Sequence, residues 1–337
     1  MATVPIDEVT TVPTPAAGSS APGLPLIRGV VRGQLARTFG GPPFDPSTDR
    51  GDPGLTGPDS PSWRVIAEPA AIAGGIRGLL LQVAHPLAMA GVFDHSAFRD
   101  DPLGRLQRTS GYVTTSTFGS TREAFDVAER VRRVHPHVRG VAPDGRPYRA
   151  DDPHLLAWVG VALTASFLAA HRAWAPVPLT EADQDRFVLE QSRIAALLDP
   201  RVDLDALRAD PSAAADLRTG RLPLPMLDEG RLPHDVASLD HTLDRYGPEL
   251  GVNHQGREAL RFLRWPPLPA AVRAGYLTLL GGAVGSLPRS ERAALGIRLP
   301  RPAARTAVLH TGAALALMRR ATGTAPSVEL ARARAAG

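Results

Sequence analysis

The chain has 337 residues, of which 43% are hydrophobic and 21% charged, enough for one large core or two modest ones and unlike a globally disordered protein. A net charge of +4, carried by arginines scattered among acids with no lysine at all, argues against a nucleic-acid partner. The absence of cysteine excludes disulfides, thiolate-ligated haem, iron–sulfur clusters and cysteine zinc sites, so any metal must sit on His, Asp, Glu, Tyr or Met.

Met1 to Gly23 lacks a basic start and a continuous apolar run and reads as a disordered tail rather than a targeting signal. Residues 1–60 as a whole, punctuated by Gly41-Pro42-Pro43, Asp52-Pro53-Gly54 and Gly57-Pro58, read as a disordered or extended N-terminal tail with one short helix around Leu26 to Arg37. From Pro69 to Val92 apolar residues recur at helical spacing, with Pro86 expected to kink or divide the helix. Arg77, Gln82 and His85 interrupt this stretch, and nowhere does the chain reach the about 18 to 20 uninterrupted apolar residues of a membrane span. A cytoplasmic protein is expected.

Asp101-Pro102 pairs a capping side chain with proline at the first helical position and predicts a helix to about Ser116. Ser120-Thr121-Arg122-Glu123 has capping-box spacing and predicts the next, to about His135. After the turn-rich 140–147, Asp152-Pro153 opens a helix to about Trp174, and Thr180 to Leu198 forms another. Asp199 to Leu232 is polar and rich in Pro and Gly, suggesting short helices or an excursion from the core. Helices are predicted again at Val236–Tyr246, Gln255–Leu263, Ala270–Gly285, Ser290–Leu295 and Pro302–Thr322, followed by a frayed C-terminal tail over 323–337. No alternating strand pattern exceeds four residues, so the expected fold class is all-α, one globular domain over 61–322.

Several blocks carry a resemblance when taken in order. They include Gly75-Ile76-Arg77-Gly78-Leu79-Leu80-Leu81-Gln82-Val83-Ala84-His85-Pro86, Asp94-His95-Ser96, Asp101-Pro102-Leu103-Gly104-Arg105-Leu106-Gln107-Arg108-Thr109, Val134-His135-Pro136-His137-Val138-Arg139-Gly140 and Trp158-Val159. Together with Pro266-Pro267 and Leu287-Pro288 they span about Trp63 to Leu299, and the chain resembles the catalytic domain shared by fungal MpaB oxygenases and bacterial rubber oxygenases. The resemblance implies an all-helical domain enclosing a pocket for haem b, held by one histidine, with dioxygen and a small hydrophobic, unsaturated substrate as partners. It leaves open the substrate, the need for an electron donor and the oligomeric state.

On a helical wheel Ala124, Ala128, Val131, Val134, His135 and Val138 share one arc, so His135 is expected to face inward and His137 outward. By periodicity alone His135 is a core histidine bonded to a carbonyl; the resemblance makes it the axial haem and metal ligand. Arg105, Arg108, Thr109 and Tyr112 fall on one helix face, which alone reads as solvated. By resemblance Arg105 and Thr109 stand beside the haem, and Arg108 takes the place of a distal basic residue in rubber oxygenases. Guanidinium groups suit haem carboxylates.

His95, with Asp94, is either a general base or proton relay or simply the neighbour of a helix cap, and His85 reads as structural. His154, His171, His234, His241, His254 and His310 show no spacing of a zinc or di-iron site. Dinucleotide, Walker and nucleophile-elbow motifs are lacking. Gly160 and Ala162 stand where the family often has His and Thr, which raises the alternative of a haem- or small-molecule-binding module without turnover.

Overall fold

The computed structural model describes residues 41–96 and 100–337, together with Gly33. The expected tail Met1–Gly23 and, apart from Gly33, the expected helix over 26–37 lie outside these residues.

Helix starts follow the side chains that can satisfy free backbone N–H groups. Ser60 accepts from the N–H of Trp63 and Pro61 fills the first position of α1 (Pro61–Ala67). Helix α2 (Ala70–Ala84) leaves α1 at 89° and stops at His85, whose extended backbone is what a following proline favours. Pro86 then opens α3 (Pro86–His95), so the long apolar segment is divided at the residue the sequence indicated. Asp101 caps α4 (Pro102–Phe118), and Ser120 and Glu123 form a reciprocal capping box on α5 (Thr121–Val134).

A 3-10 turn, His135–His137, leads into the antiparallel hairpin β1 (Arg139–Val141) and β2 (Pro147–Arg149), in which Gly140 faces Tyr148. These are the strands of the described residues; helices make up the rest of the regular structure. Asp152 caps α6 (Pro153–Trp174) and Thr180 caps α7 (Glu181–Ala196). The polar stretch after it forms three short helices, α8 (Leu204–Ala209), α9 (Ala213–Thr219) and α10 (Pro225–Asp228). The chain continues through α11 (Val236–Tyr246), α12 (His254–Arg264), α13 (Ala270–Ser286), α14 (Arg289–Ala294), α15 (Arg301–Thr322) and α16 (Pro326–Ala336).

Helix α6 is the axis of the domain, with α2 laid along one side and α7 along another. Small residues permit the close approach to α2: a Cβ on Gly74 would come within 2.9 Å of the Phe167 ring. Among the described residues α6 alone is, as a single helix, long and apolar enough to cross a membrane, but 67% of that stretch is packed inside the protein, as in the core helix of a globular domain. One buried cluster joins α5, α6 and α7 to the short helices after them; a second joins α2 and α6 to α13 and α15. Arg77 and Glu291 form a buried ion pair of 3.1 Å that latches α14 onto α2.

Residues 41–60 and 323–337, parts of the two expected tails, pack onto the helical domain. Phe44 and Leu55 are buried, and Asp52 accepts hydrogen bonds from both the N–H and the hydroxyl of Thr121 at the start of α5. The supposed frayed end is helix α16, where Val328 and Ala331 pack with Phe44, Trp63 and Phe118. Arg334, 1% exposed, donates to the carbonyls of Asp52 and Gly119. These two segments cover each other and the α4–α5 junction, so the folded unit extends beyond 61–322 on both sides.

Candidate functional site

His135 lies where α5 gives way to the 3-10 turn. Ala124, Phe125 and Ala128 are buried on the apolar side of α5, but the expected inward arc does not run to its end, because Val134 is 58% exposed. His135 keeps right-handed helical dihedrals despite the proline after it, but the α-helix tightens there into a 3-10 turn, to which a 3.6-residue wheel no longer applies. His135 is half-buried, with its Nδ1 enclosed and without a hydrogen-bond partner among the described residues, whereas His137 is exposed. Burial depresses the pKa of His135 below the usual imidazole range against the opposing pull of Asp151, which favours the neutral ring. His135 borders an open cleft of about 490 Å³ whose lining is largely charged, with Glu129, Arg132, Asp151, Arg201 and Asp203 beside Leu198.

The four residues predicted on one face of α4 separate. Arg105 is half-buried and donates a 3.0 Å hydrogen bond to Oε1 of Gln82 on α2; burial and then the neighbouring Arg108 bring its pKa down to about 10. Tyr112 packs against the main core. Arg108 and Thr109 are exposed: Arg108 pairs with Asp101 at 3.4 Å, and the Thr109 hydroxyl donates back to the carbonyl of Arg105. Neither Arg105, Arg108, Thr109 nor His95 lines the cleft beside His135. A wheel groups residues by direction from one axis and takes no account of which neighbouring helix covers which part of the face.

His95 closes α3, its Nε2 lying 3.1 Å from the carbonyl of Arg139 on β1. Asp94 accepts from the Tyr148 hydroxyl at 2.6 Å and from Gln255 at 3.3 Å. Both side chains thus tie the end of α3 to the hairpin that follows His135. Gly160 has a packing reason: a Cβ there would stand 2.8 Å from that of Ala195 on α7. Ala162 is buried in the core between α2 and α6.

A second group comes from three separate elements. His85 is fully buried at the break between α2 and α3, and its Nε2 makes no hydrogen bond, standing 3.4 Å from Oε2 of Glu249. His154 sits in the first turn of α6, where Asp152 holds its N–H and the Tyr246 hydroxyl donates to its carbonyl. Its Nε2 is 3.0 Å from both oxygens of Glu249. Glu249 ends a short turn after α11 that is fixed against α2 by the 2.7 Å bond from Gly251 N–H to the Ala84 carbonyl. Burial pushes the His85 pKa down to about 4, with Glu249 opposing it.

Residues 63–321 match the family described as ER-bound oxygenase mpaB/B'/Rubber oxygenase, catalytic domain. The chain belongs to this family. No curated protein and no solved structure matches it. Membership of the mpaB/rubber oxygenase family gives the coarse role, that of an oxygenase taking dioxygen and an oxidisable substrate, and it suggests a metal or haem cofactor.

In this family member two places offer suitable donors. His135 offers a single imidazole whose Nδ1 is enclosed and unpaired, in a residue that borders an open cleft, the kind of donor a group held by one histidine requires. His85, His154 and Glu249 present three donors within 4.8 Å of one another, which suits a bare ion. Sequence reasoning missed the second group, since its members are far apart in the chain and only the break at Pro86 and the Asp152-Pro153 cap fix two of them locally.

Proposed function

We propose that this protein is a haem b-dependent oxygenase acting on a hydrophobic, unsaturated substrate of isoprenoid or polyketide type. Oxidative cleavage of a carbon–carbon double bond is the leading reaction. The observation that carries the reading is His135: a neutral, half-buried imidazole with an unpaired nitrogen at a cleft, in a member of an oxygenase family. When bound, haem would supply an iron centre able to activate dioxygen.

His135 would hold the cofactor. The hydrogen bonds from the Tyr148 hydroxyl to Asp94 and from the His95 ring to the carbonyl of Arg139 steady the hairpin that follows His135. Arg105, a half-buried cation bonded to Gln82, is assigned to a haem carboxylate by the family resemblance alone, since it stands outside the cleft beside His135. Arg108, Thr109 and His95 are the further positions to vary for substrate handling and proton transfer. The substrate class rests on the resemblance, and whether a separate electron donor is used belongs to the same test.

The test joins spectroscopy to product analysis. Reconstituted protein is expected to bind haem b, about one per chain, with an imidazole-type spectrum, retained in His137→Ala and largely lost in His135→Ala. Ferrous protein incubated with terpenoids and unsaturated lipids under labelled dioxygen is expected to yield labelled carbonyl products. Absence of a Soret band, or equal haem retention in both variants, overturns the reading. Haem-loaded protein that transforms no alkene reduces it to a binding module.

A further inference from the structure

The structure assigns a divalent transition-metal site to His85, His154 and Glu249, in addition to the cofactor reading for His135. One ligand atom from each lies within 4.8 Å of the others, close enough for a single ion to draw them together. Two imidazoles and a carboxylate suit zinc or iron(II) and are poorly matched to the oxygen-preferring magnesium or calcium.

The feature that distinguishes this group from an ordinary surface cluster is His85. Its side chain is wholly buried, yet Nε2 points at Glu249 without making a hydrogen bond. A buried nitrogen left this way is costly unless something takes its place. Trp158, Tyr246 and His154 ring it, with ring centres 5.5 Å, 6.3 Å and 6.4 Å away, so little but a small ligand held by these same residues reaches it.

The other two donors face outward. The side chains of His154 and Glu249 are 41% and 30% exposed, so an ion enters from solvent and keeps coordination positions open on that side. The Tyr246 hydroxyl, which donates to the carbonyl of His154, stands 3.5 Å from Nδ1 of the same residue, the nitrogen that carries the proton when Nε2 binds a metal. At His85 the proton must likewise move to Nδ1, which gives up the 3.4 Å contact from the N–H of Ala88. That contact is longer than a normal hydrogen bond, and a single cap is worth far less than coordination of a first-row ion.

The experiment is zinc titration of the full-length chain by calorimetry, with metal analysis after dialysis and cobalt(II) absorption as a report on coordination. An anaerobic iron(II) titration decides between the two ions. The unaltered chain is expected to bind one ion. Glu249→Gln and His154→Ala are each expected to weaken zinc binding by at least about tenfold with unchanged helical circular dichroism. His234→Ala, on an exposed histidine, is expected to change nothing. His135→Ala is expected to keep the ion even where it loses haem, so the two sites stand or fall separately. Absence of saturable zinc binding by the unaltered chain, or an affinity in Glu249→Gln and His154→Ala no weaker than that of the unaltered chain, overturns the assignment and leaves the cluster an ion pair between helices.

Discussion

The Tyr148 hydroxyl donates a 2.6 Å hydrogen bond to Oδ2 of Asp94, joining β2 to the last turn of α3 across 54 positions of chain. Tyr148 is 3% exposed, and its ring packs with Ala90, Ala142 and Leu155. Tyr148→Phe keeps that packing and removes only the bond, which for a charged acceptor at the protein edge is worth about 1 to 2 kcal/mol. Urea unfolding is expected to show that loss, and amide exchange across 139–149 is expected to quicken while α6 stays protected. Unchanged exchange in the hairpin would show that the bond does not hold it.

Arg105 and Arg108 should behave as opposites although they lie three positions apart. Arg105→Ala removes a half-buried cation bonded to Gln82 and is expected to cost about 1 to 3 kcal/mol. Arg108→Ala strips an exposed ion pair and is expected to stay within about 0.5 kcal/mol of the unaltered protein. Thr109→Val should resemble Arg108→Ala, since the hydroxyl is spent on its own helix. Thermal or urea denaturation of the three variants gives the ranking, and equal losses for the two arginines would refute the division of this face.

At Gly160 the expectation is overpacking. A methyl group would stand 2.8 Å from the Ala195 Cβ, which cannot yield without moving α7. Gly160→Ala is therefore expected to destabilise by about 1 to 3 kcal/mol despite alanine's better helix propensity. Adding Ala195→Gly should recover part of the loss. A stabilised Gly160→Ala protein would mean that the helices are further apart than described.

Acid sensitivity should include a contribution from His171, 5% exposed on α6. Burial lowers its pKa from 6.5, opposed by the Val177 backbone and Glu68 and assisted by Arg64. A histidine with a depressed folded pKa binds protons more readily when unfolded, so its contribution is complete above 6.5 and lost as pH falls through the folded value. In His171→Gln the decline of urea midpoints below pH 6.5 is expected to be shallower. It should not vanish, because His85 and His135 are depressed in the same direction. An identical pH profile would remove His171 from the account.

The sequence by itself determined where helices begin and break. Asp101-Pro102, the Ser120–Glu123 box, Asp152-Pro153 and the proline at 86 all act there as read, because capping and proline geometry operate within three or four residues. Family membership was legible for a similar reason: its blocks are short runs met in order between about Trp63 and Leu299. Only the tertiary structure decided which faces are covered. It exposed Val134, buried Phe44 beneath α16 and Leu55 in the main core, and parted Arg105 from Arg108. It also brought His154 to Glu249, 95 positions further on, and set both beside His85. Burial depends on where distant helices come to rest against one another, and no local pattern of residues encodes that.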